Sequence, residues 1–572
     1  MIKGTKLFIN ALKKENVDKI FGYPGGYAID IFDELYKDNS IEVILPRHEQ
    51  ALIHEAEGYA KSTGKVGVCL VTSGPGATNL VTGIADANFD SVPLVCFTGQ
   101  VPLGLIGNDA FQEVDIIGIT RPICKYGVTV RDRKDLGRII KNAFYIAKTG
   151  KPGVVVVDLP KDIMLELGEN DYPENVDIRG YKPYESVHVG QIKKGISLLK
   201  KAKKPLLLAG GGVNLSGAND ELREFVEKCN IPVVTTIMGR GAIPTNHPLY
   251  VGNIGMHGIY AANKALEDCD LLLSIGTRFN DRITGKTSEF AKNASIVHID
   301  IDASAISRNI SVDIPIVADA KTALLKMLEY ASKCDCEDFL DEILEYKKKY
   351  PLGIKSSILN PEKIIKAINN KIPNRIVTTD VGQHQMWTTQ YLEVSRNHEL
   401  LLSGGLGTMG FGFPAAIGAK IANMDKNVVC ITGDGGFQMN IQEIATAVCN
   451  EINVIVCIFN NTNLGMVRQW QKLFYGKRYS STCLRRRKSC GTNCQYAPSM
   501  CPPYTPDFVK LAESYGALGM RVTNEVEMNE AFDRALLEQK RPVIIEFMID
   551  SDECVLPMVP GGKMLKDVIM DC

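Results

Sequence analysis

At 572 residues the chain is longer than one hydrophobic core usually organises, and its 45% hydrophobic and 23% charged residues are ordinary for a soluble globular protein. The formal net charge of -1 removes any electrostatic reason to expect nucleic acid or an acidic membrane as partner. No run of about 18 uncharged apolar residues occurs, which excludes a membrane-spanning helix. The opening MIKGTKLFINALKKENV is amphipathic and lacks the apolar centre of a signal peptide, so a cytoplasmic chain is expected. Most of the sixteen cysteines stand singly in apolar runs, as Cys69, Cys96, Cys430 and Cys457 do. They read as buried thiols in a reducing compartment.

In chain order, short apolar runs alternate with longer helical patterns. VGVCLVTSG from Val66, PLVCFTGQ from Pro93 and PGVVVVDLP from Pro152 come first. KPLLLAGGG from Lys204, DLLLSIGTR from Asp270 and SIVHIDID from Ser295 follow, then NVVCITGDGG from Asn427 and INVIVCIFNN from Ile452. Such runs predict buried parallel strands, and their alternation with helices predicts open sheets covered on both faces. The expected fold class is α/β, with three doubly wound parallel-sheet domains. Polar stretches from Leu165 and from Ser332 are the expected linkers. They divide the chain into 1–165, 190–330 and 360–545, with a tail over 546–572. Residues 68–97 and 429–458 echo one another as strand, glycine-rich turn, helix and strand. That echo suggests two related domains facing each other across a ligand.

The strongest chemical signal is GDGGFQMN from Gly433 with IFNNTNLGMV from Ile458. Asp434 follows a strand and Asn461 ends the next one. Both then stand at carboxyl ends of adjacent strands, where open α/β sheets bind ligands. A carboxylate and an amide oxygen suit a hard cation that keeps phosphate oxygens as its other ligands. Gly433, Gly435 and Gly436 let backbone N–H groups approach a diphosphate. The GDG and NN pairing resembles the binding motif of thiamine diphosphate (ThDP) enzymes. The resemblance implies that Asp434, Asn461 and the backbone carbonyl of Asn463 hold Mg2+. A competing reading starts from GGLGTMG at Gly404, whose glycine spacing also suits a nicotinamide dehydrogenase.

ILPRHEQALIHEAEGYA from Ile44 sets Glu49 at a strand-to-helix junction. RHEQ with the downstream AEGYA resembles the ThDP-enzyme segment that supplies the activating carboxylate, which makes Glu49 the candidate. A buried carboxyl beside an apolar ring is tuned to share a proton with the aminopyrimidine. Glu49 and Asp434 occupy different domains. The family places the cofactor between two subunits, so a homodimer or tetramer with interfacial active sites is implied.

FGYPGG from Phe21, TSGPGATN from Thr72, NDAFQEVDIIG from Asn108 and VDLPKD from Val157 resemble acetolactate synthase large subunits. So do GMHG from Gly255, GTRFNDRITGK from Gly276, SGGLGTMGFGFPAAIGAK from Ser403, GMVRQWQ from Gly465 and LPMVPGG from Leu556. The architecture implied is that shared with pyruvate oxidase and pyruvate decarboxylase. The activity implied is decarboxylation of pyruvate and its joining to a second 2-keto acid, pyruvate or 2-ketobutyrate. That reaction is the first common step of branched-chain amino-acid biosynthesis. Beside the metal motif, the resemblance assigns Gly25, Gly26, Gln383, His384, Gly407, Met409, Gly465 and Met466 to ThDP, with Met409 propping the thiazolium. Glu49, Gln112 and Lys161 form the implied catalytic set, and Phe111, Arg278 and Trp470 the substrate side. A structural FAD is implied by LAGGGVN, GMHG, GTRFNDR and HIDID. Its implied neighbours are Gly210, Gly211, Gly212, Met256, His257, Gly276, Arg278, Asp300 and Asp319. A small regulatory subunit is a partner the family allows. Tyr27 and Leu52 are bulkier than the small residues usual at their places and are expected to reshape the channel. The alternatives are a pyruvate oxidase using FAD for redox, or a non-catalytic paralogue. Trp470, Lys161 and GMVRQW stand against the first, and intact Glu49, Asp434 and Asn461 against the second.

One segment has no counterpart in that family pattern. RYS at Arg478 and TPDF at Thr505 are separated by an insertion over about 481–503. It carries Cys483, Cys490, Cys494 and Cys501, spaced by six, three and six residues, with a cationic run from Arg485 to Lys488. Four thiolates suit Zn2+ or an iron–sulfur cluster, and nearby cations favour thiolates. Redox-active disulfides and free thiols in a loop are the other readings. The insertion follows Trp470 closely, which places it near the mouth of the expected site.

Overall fold

The computed structural model describes residues 1–183, 186–354, 359–491 and 501–572. Three six-stranded sheets follow one another along the chain, each parallel throughout. The first holds β1 (Lys19–Tyr23), β2 (Glu42–Ile44), β3 (Gly67–Val71), β4 (Leu94–Gln100), β5 (Tyr126–Thr129) and β6 (Val154–Pro160). Their order is β2-β1-β3-β4-β6-β5. The middle sheet holds β7 (Pro205–Ala209), β8 (Val233–Thr235), β9 (Tyr250–Asn253), β10 (Leu271–Ile275), β11 (Ser295–Asp300) and β12 (Ile314–Val317), ordered β9-β8-β7-β10-β11-β12. The third holds β13 (Arg375–Thr379), β14 (Leu400–Leu402), β15 (Asn427–Gly433), β16 (Ile455–Asn460), β17 (Leu518–Val522) and β18 (Val543–Met548). Its order, β14-β13-β15-β16-β18-β17, repeats the first strand for strand. The echo read between 68–97 and 429–458 is therefore a shared topology. Central strands such as β3 and β15 are apolar runs buried on both faces, as parallel sheets covered by helices require.

The first and third units meet through α1 (Glu49–Thr63) and α2 (Gly412–Ala422). Glycine sets that contact. A Cβ on Gly58 would stand 2.0 Å from the Ala415 carbonyl oxygen, and one on Gly418 1.8 Å from that of Glu55. Backbone thus rests on backbone, and the shared core runs from Phe21 and Leu52 across to Phe413 and Phe437.

Both expected linkers carry structure. After Leu165, Leu167–Gly168 pairs with Ile2–Lys3, and the Tyr172 hydroxyl donates to Glu15 at 2.6 Å. The Tyr181 hydroxyl bonds Thr149, so the first unit extends past 165. Its aromatic anchors lie inside a stretch whose average is polar. The charged stretch from Ser332 contains a helix, Glu337–Lys349, whose Phe339 and Ile343 enter the middle core. The third sheet also outlasts 545, because β18 ends at Met548. The tail then crosses to the middle unit, where Val559 N bonds Met256 O at 2.8 Å. There Met558 and Ile569 pair, and Cys554 and Cys572, which the sequence reading did not single out, form a disulfide. Among the described residues no helix is long and apolar enough to cross a membrane.

Candidate functional site

In an open parallel sheet the crevice lies where the strand order reverses. For the first sheet that is between β1 and β3, and for the third between β13 and β15. The predicted residues gather at both places.

Glu49 starts α1, which His48 caps by accepting from Gln50 N at 3.1 Å. Its carboxylate accepts from the Asn79 amide at 2.9 Å. A Cβ on Gly76 would lie 3.6 Å from Glu49 Oε1, so the turn after β3 stays bare beside the acid. Thr72 supports the turn after β1: its side chain closes on Gly25, and Tyr27 N donates to its Oγ1 at 3.3 Å. Lys161, directly after β6, donates to the Gly26 carbonyl at 3.2 Å and has its ammonium 6.0 Å from the Tyr27 ring centre. Gln112, at φ 60°, packs its backbone against Gly74. Phe111 is 80% exposed on the same unit. Leu52 is wholly buried in the core between the first and third units.

At the third sheet Asp434 is 2% exposed, and its Oδ2 has no hydrogen-bond partner. Burial pushes its pKa up to about 7, against the Tyr504 hydroxyl and the amides of Gly435 and Thr462, which favour the ionised form. Asn461 and Asn463 close on each other: Asn463 N donates to Asn461 Oδ1 at 3.0 Å. Thr462 between them sits at φ 60°. Gly465 opens α3 (Gly465–Phe474), where a Cβ would stand 2.1 Å from Gln383 Oε1 and 2.5 Å from the Asn461 amide. Gln383 also donates to Gln469 Oε1 at 2.9 Å, tying this end of α3 to the loop. His384 lies against Gly433, and burial lowers its pKa to about 3, which keeps it neutral. Met409 Cε comes within 3.9 Å of the place of a Gly435 Cβ. Met466 instead packs on the third core.

The glycine-rich turn around Gly407 is held by residues that sequence reading passed over. Asp380, after β13, accepts from Gly410 N and Gly412 N, both at 3.0 Å. Ser403 Oγ accepts from Gly407 N at 3.1 Å and Thr408 N at 2.8 Å. From the first unit Asp90 accepts from Gly405 N at 2.7 Å, and the Lys61 ammonium bonds both Asp90 and the Leu402 carbonyl. GGLGTMG is thus a strapped turn between two units, which explains its glycines without a nicotinamide. His54, Glu57 and Asp86 lie within ligand reach of one another in the same buried seam, where Lys61 already supplies the opposite charge. Asp380 and Tyr504 carried no motif, and Asn79 and Ser403 lay inside motifs without being given a role. The strand order, once visible, would have pointed to Asp380.

In the middle sheet the reversal falls between β7 and β10. Gly210 and Gly212 follow β7, Gly276 follows β10, and the two turns touch: a Gly212 Cβ would lie 2.6 Å from Gly276 Cα. Their bareness serves each other first, with Gly211 against Met238. Met256 O holds the tail, and His257 is partly exposed with its Nδ1 enclosed and unpartnered, desolvation lowering its pKa to about 4. Asp300 is buried and raised to about 6, accepting from Asp302 N at 2.8 Å. Asp319 caps a helix through Thr322 N at 3.1 Å. Arg278 reaches the third unit, with its guanidinium 3.3 Å from the place of a Gly405 Cβ. Trp470, on α3, packs edge-on against Phe474 and meets Gly561 of the tail.

Of the insertion cysteines, Cys483, Cys490 and Cys501 do not form a ligand-distance group among the described residues, and Cys494 lies outside them. Cys483 is exposed, and Cys490 Sγ accepts from Arg487 N.

Comparison with known proteins follows this geometry. Residues 2–119 match the thiamine pyrophosphate enzyme N-terminal TPP binding domain, 192–328 the central domain and 380–547 the C-terminal TPP binding domain. The chain belongs to the thiamine pyrophosphate enzymes, and its two outer units are TPP binding domains. It is 47% identical to a probable acetolactate synthase large subunit of Methanococcus aeolicus, over 99% of this chain and 95% of that protein. It is 44% identical to the acetolactate synthase large subunit of Corynebacterium glutamicum, over 99% and 90%. Against acetolactate synthase isozyme 3 large subunit of Escherichia coli the figures are 42%, 99% and 98%. Within the class, therefore, the chain is a member of the acetolactate synthase large-subunit family. These likenesses do not favour the oxidase, dehydrogenase or non-catalytic readings.

Proposed function

We propose that this chain decarboxylates pyruvate and joins the retained two-carbon unit to a second 2-keto acid. The product is 2-acetolactate, or 2-aceto-2-hydroxybutyrate when 2-ketobutyrate is the acceptor, and the step opens branched-chain amino-acid biosynthesis. One observation carries the reading: Asp434 Oδ2 is buried without a partner at the reversal of the third sheet, beside the Asn461–Asn463 loop. An unpaired buried carboxylate oxygen is costly unless a cation takes it. Hard oxygens suit Mg2+, which Asp434, Asn461 and Asn463 would hold. The amides opening α3 and those of the bare Gly433–Gly436 turn would take the diphosphate. Bound there, ThDP supplies the centre that accepts electrons released with carbon dioxide. Glu49, oriented by Asn79, would hold and release a proton at the aminopyrimidine nitrogen. Met409 would prop the ring from the Gly435 side. Gln112 and Lys161 would orient the substrate from the first unit, with Phe111 lining its entry. Arg278 would pair with the acceptor carboxylate, and Trp470 would wall its alkyl group.

Glu49 bonds within the first unit and Asp434 within the third. We read one active site as Glu49 of one copy with Asp434 of another, so the working unit is at least a homodimer. The relatives are named large subunits, and a small regulatory subunit extends that reading. In the middle unit Thr277 Oγ1 stands beside the Gly210 turn, and it, His257 Nδ1 and Asn280 Oδ1 are buried polar atoms without a partner. They fit a dinucleotide, and FAD is the reading, in a structural role because the net reaction is not a redox one. The test is purified chain with pyruvate, ThDP and Mg2+. Acetolactate and carbon dioxide in equal amounts support the proposal; oxygen uptake with acetate or acetyl phosphate as product would replace it by an oxidase.

A further inference from the structure

Both ends of the cysteine-rich insertion are built into the proposed cation site. Upstream, Thr482–Leu484 runs antiparallel to Thr462–Leu464. Leu464 N donates to Thr482 O and Leu484 N to Thr462 O, both at 2.9 Å, and Asn463 pairs with Cys483. Leu484 Cδ1 stands 3.5 Å from the place of a Gly435 Cβ. Downstream, the Tyr504 ring packs on Phe508, which packs on Phe437 of the Asp434–Phe437 turn. The Tyr504 hydroxyl accepts from Gln438 Nε2 at 2.9 Å and lies against the Asp434 carboxylate. The same Gln438 amide donates to Asp434 O at 2.9 Å. Arg487 closes the two ends, with one guanidinium nitrogen 3.1 Å from both Pro503 O and Thr505 Oγ1.

We propose that Tyr504 is a positioning residue for the cation, its hydroxyl donating to the Asp434 carboxylate and fixing it so that Oδ2 faces the metal. The inference rests on the reading of Asp434 as the cation's ligand. Gln438 occupies the hydroxyl's acceptor side, so its proton is directed at the carboxylate. The aromatic chain through Phe508 to Phe437 fixes where the hydroxyl stands. A hydrogen bond to an ionised ligand is charge-assisted, and such outer partners hold the ligand's orientation. The insertion thereby contributes to the site a residue that a shorter connection from Arg478 to Thr505 would have to supply otherwise.

The test is Mn2+ binding in the presence of ThDP, followed by electron paramagnetic resonance, for the full chain and three variants. Tyr504→Phe keeps the ring and loses the donor. It is expected to weaken Mn2+ by about tenfold, with an unchanged melting temperature and with kcat restored at saturating Mn2+. Gln438→Leu leaves the hydroxyl undirected and is expected to weaken Mn2+ in the same sense but less, which covers a failure of the first variant to fold. Asp434→Asn is expected to abolish binding. If Asp434→Asn binds Mn2+ as the parent does, the cation reading itself fails. If Asp434→Asn loses binding while Tyr504→Phe and Gln438→Leu keep the parent affinity, the role of Tyr504 is overturned. A Tyr504→Phe chain whose kcat stays low at saturating Mn2+ also overturns it.

Discussion

The first and third sheets share one strand order, and each places a glycine-rich turn after its third strand in that order. The turns are used differently. In the first unit, Gly76 stays bare beside an acid that comes from elsewhere, Glu49 at the start of α1, held by Asn79, while Gly74 makes room for Gln112. In the third unit the turn itself carries the acid, and Asp434 is buried with one oxygen unpartnered. Glu49 keeps partial contact with solvent and a single neutral partner, which suits a group that must pass a proton. Asp434 is enclosed among amides and a hydroxyl, which suits a fixed ligand. On the proposed roles, one topology is divided into an activating half and a binding half.

The largest expected effects sharpen that division. Glu49→Gln should reduce turnover by about a hundredfold or more while leaving ThDP binding, read by quenching of protein fluorescence, near the parent value. Asp434→Asn should lose ThDP and cation binding together. Equal loss of binding in both variants would erase the contrast. A smaller effect is expected where the middle unit meets the third. Arg278→Ala should raise the acceptor KM by about tenfold, the loss of one charge-assisted bond, and Trp470→Leu should change the ratio of products from pyruvate and 2-ketobutyrate more than the decarboxylation rate. An unchanged ratio in competition would remove Trp470 from the acceptor wall.

The smallest effect lies in the seam between the two halves. Glu55 of α1 is buried with both oxygens unpartnered, facing Glu443 of the third unit. Burial, and then Glu443, raise its pKa well above the ordinary carboxylate value. The folded state therefore holds a proton that the unfolded chain releases, and this contribution to stability is lost as pH rises above the unfolded value. Glu55→Gln should raise the melting temperature at about pH 8 and change it little at about pH 5. A difference that is the same at both would mean that Glu55 is ionised in the fold.

Much of this was legible in the sequence because it is local. Apolar runs ending at Val71 or Gly433 gave strands, and GDG with NN gave the loop at the end of β16, since strand, turn and helix lengths leave few ways to return the chain. Contacts between units were not legible. Asp90 of the first unit reaches the Gly407 turn from far along the chain, while Asp380 and Ser403 hold it from within the third unit, Ser403 only four residues from Gly407. Tyr504 stands at the downstream edge of an insertion that drew attention to its cysteines. The helix Glu337–Lys349 was missed because its charged face outweighs Phe339 and Ile343 in the average. Gly210, Gly211, Gly212 and Gly276 were read as neighbours of FAD, and the contact they make between the turns after β7 and β10 was not legible.

The central claim is that the two halves meet across copies of the chain, and complementation tests it most directly. Glu49→Gln and Asp434→Asn chains, each inactive alone, are coexpressed with different tags, and the mixed oligomer is isolated and assayed for acetolactate. In a mixed dimer one site carries both substitutions and the other carries neither, so about half of the parent activity per dimer is predicted from the two-fold symmetry of such an assembly. Mixed dimers no more active than either single variant would contradict this reading and place Glu49 and Asp434 in one chain's site.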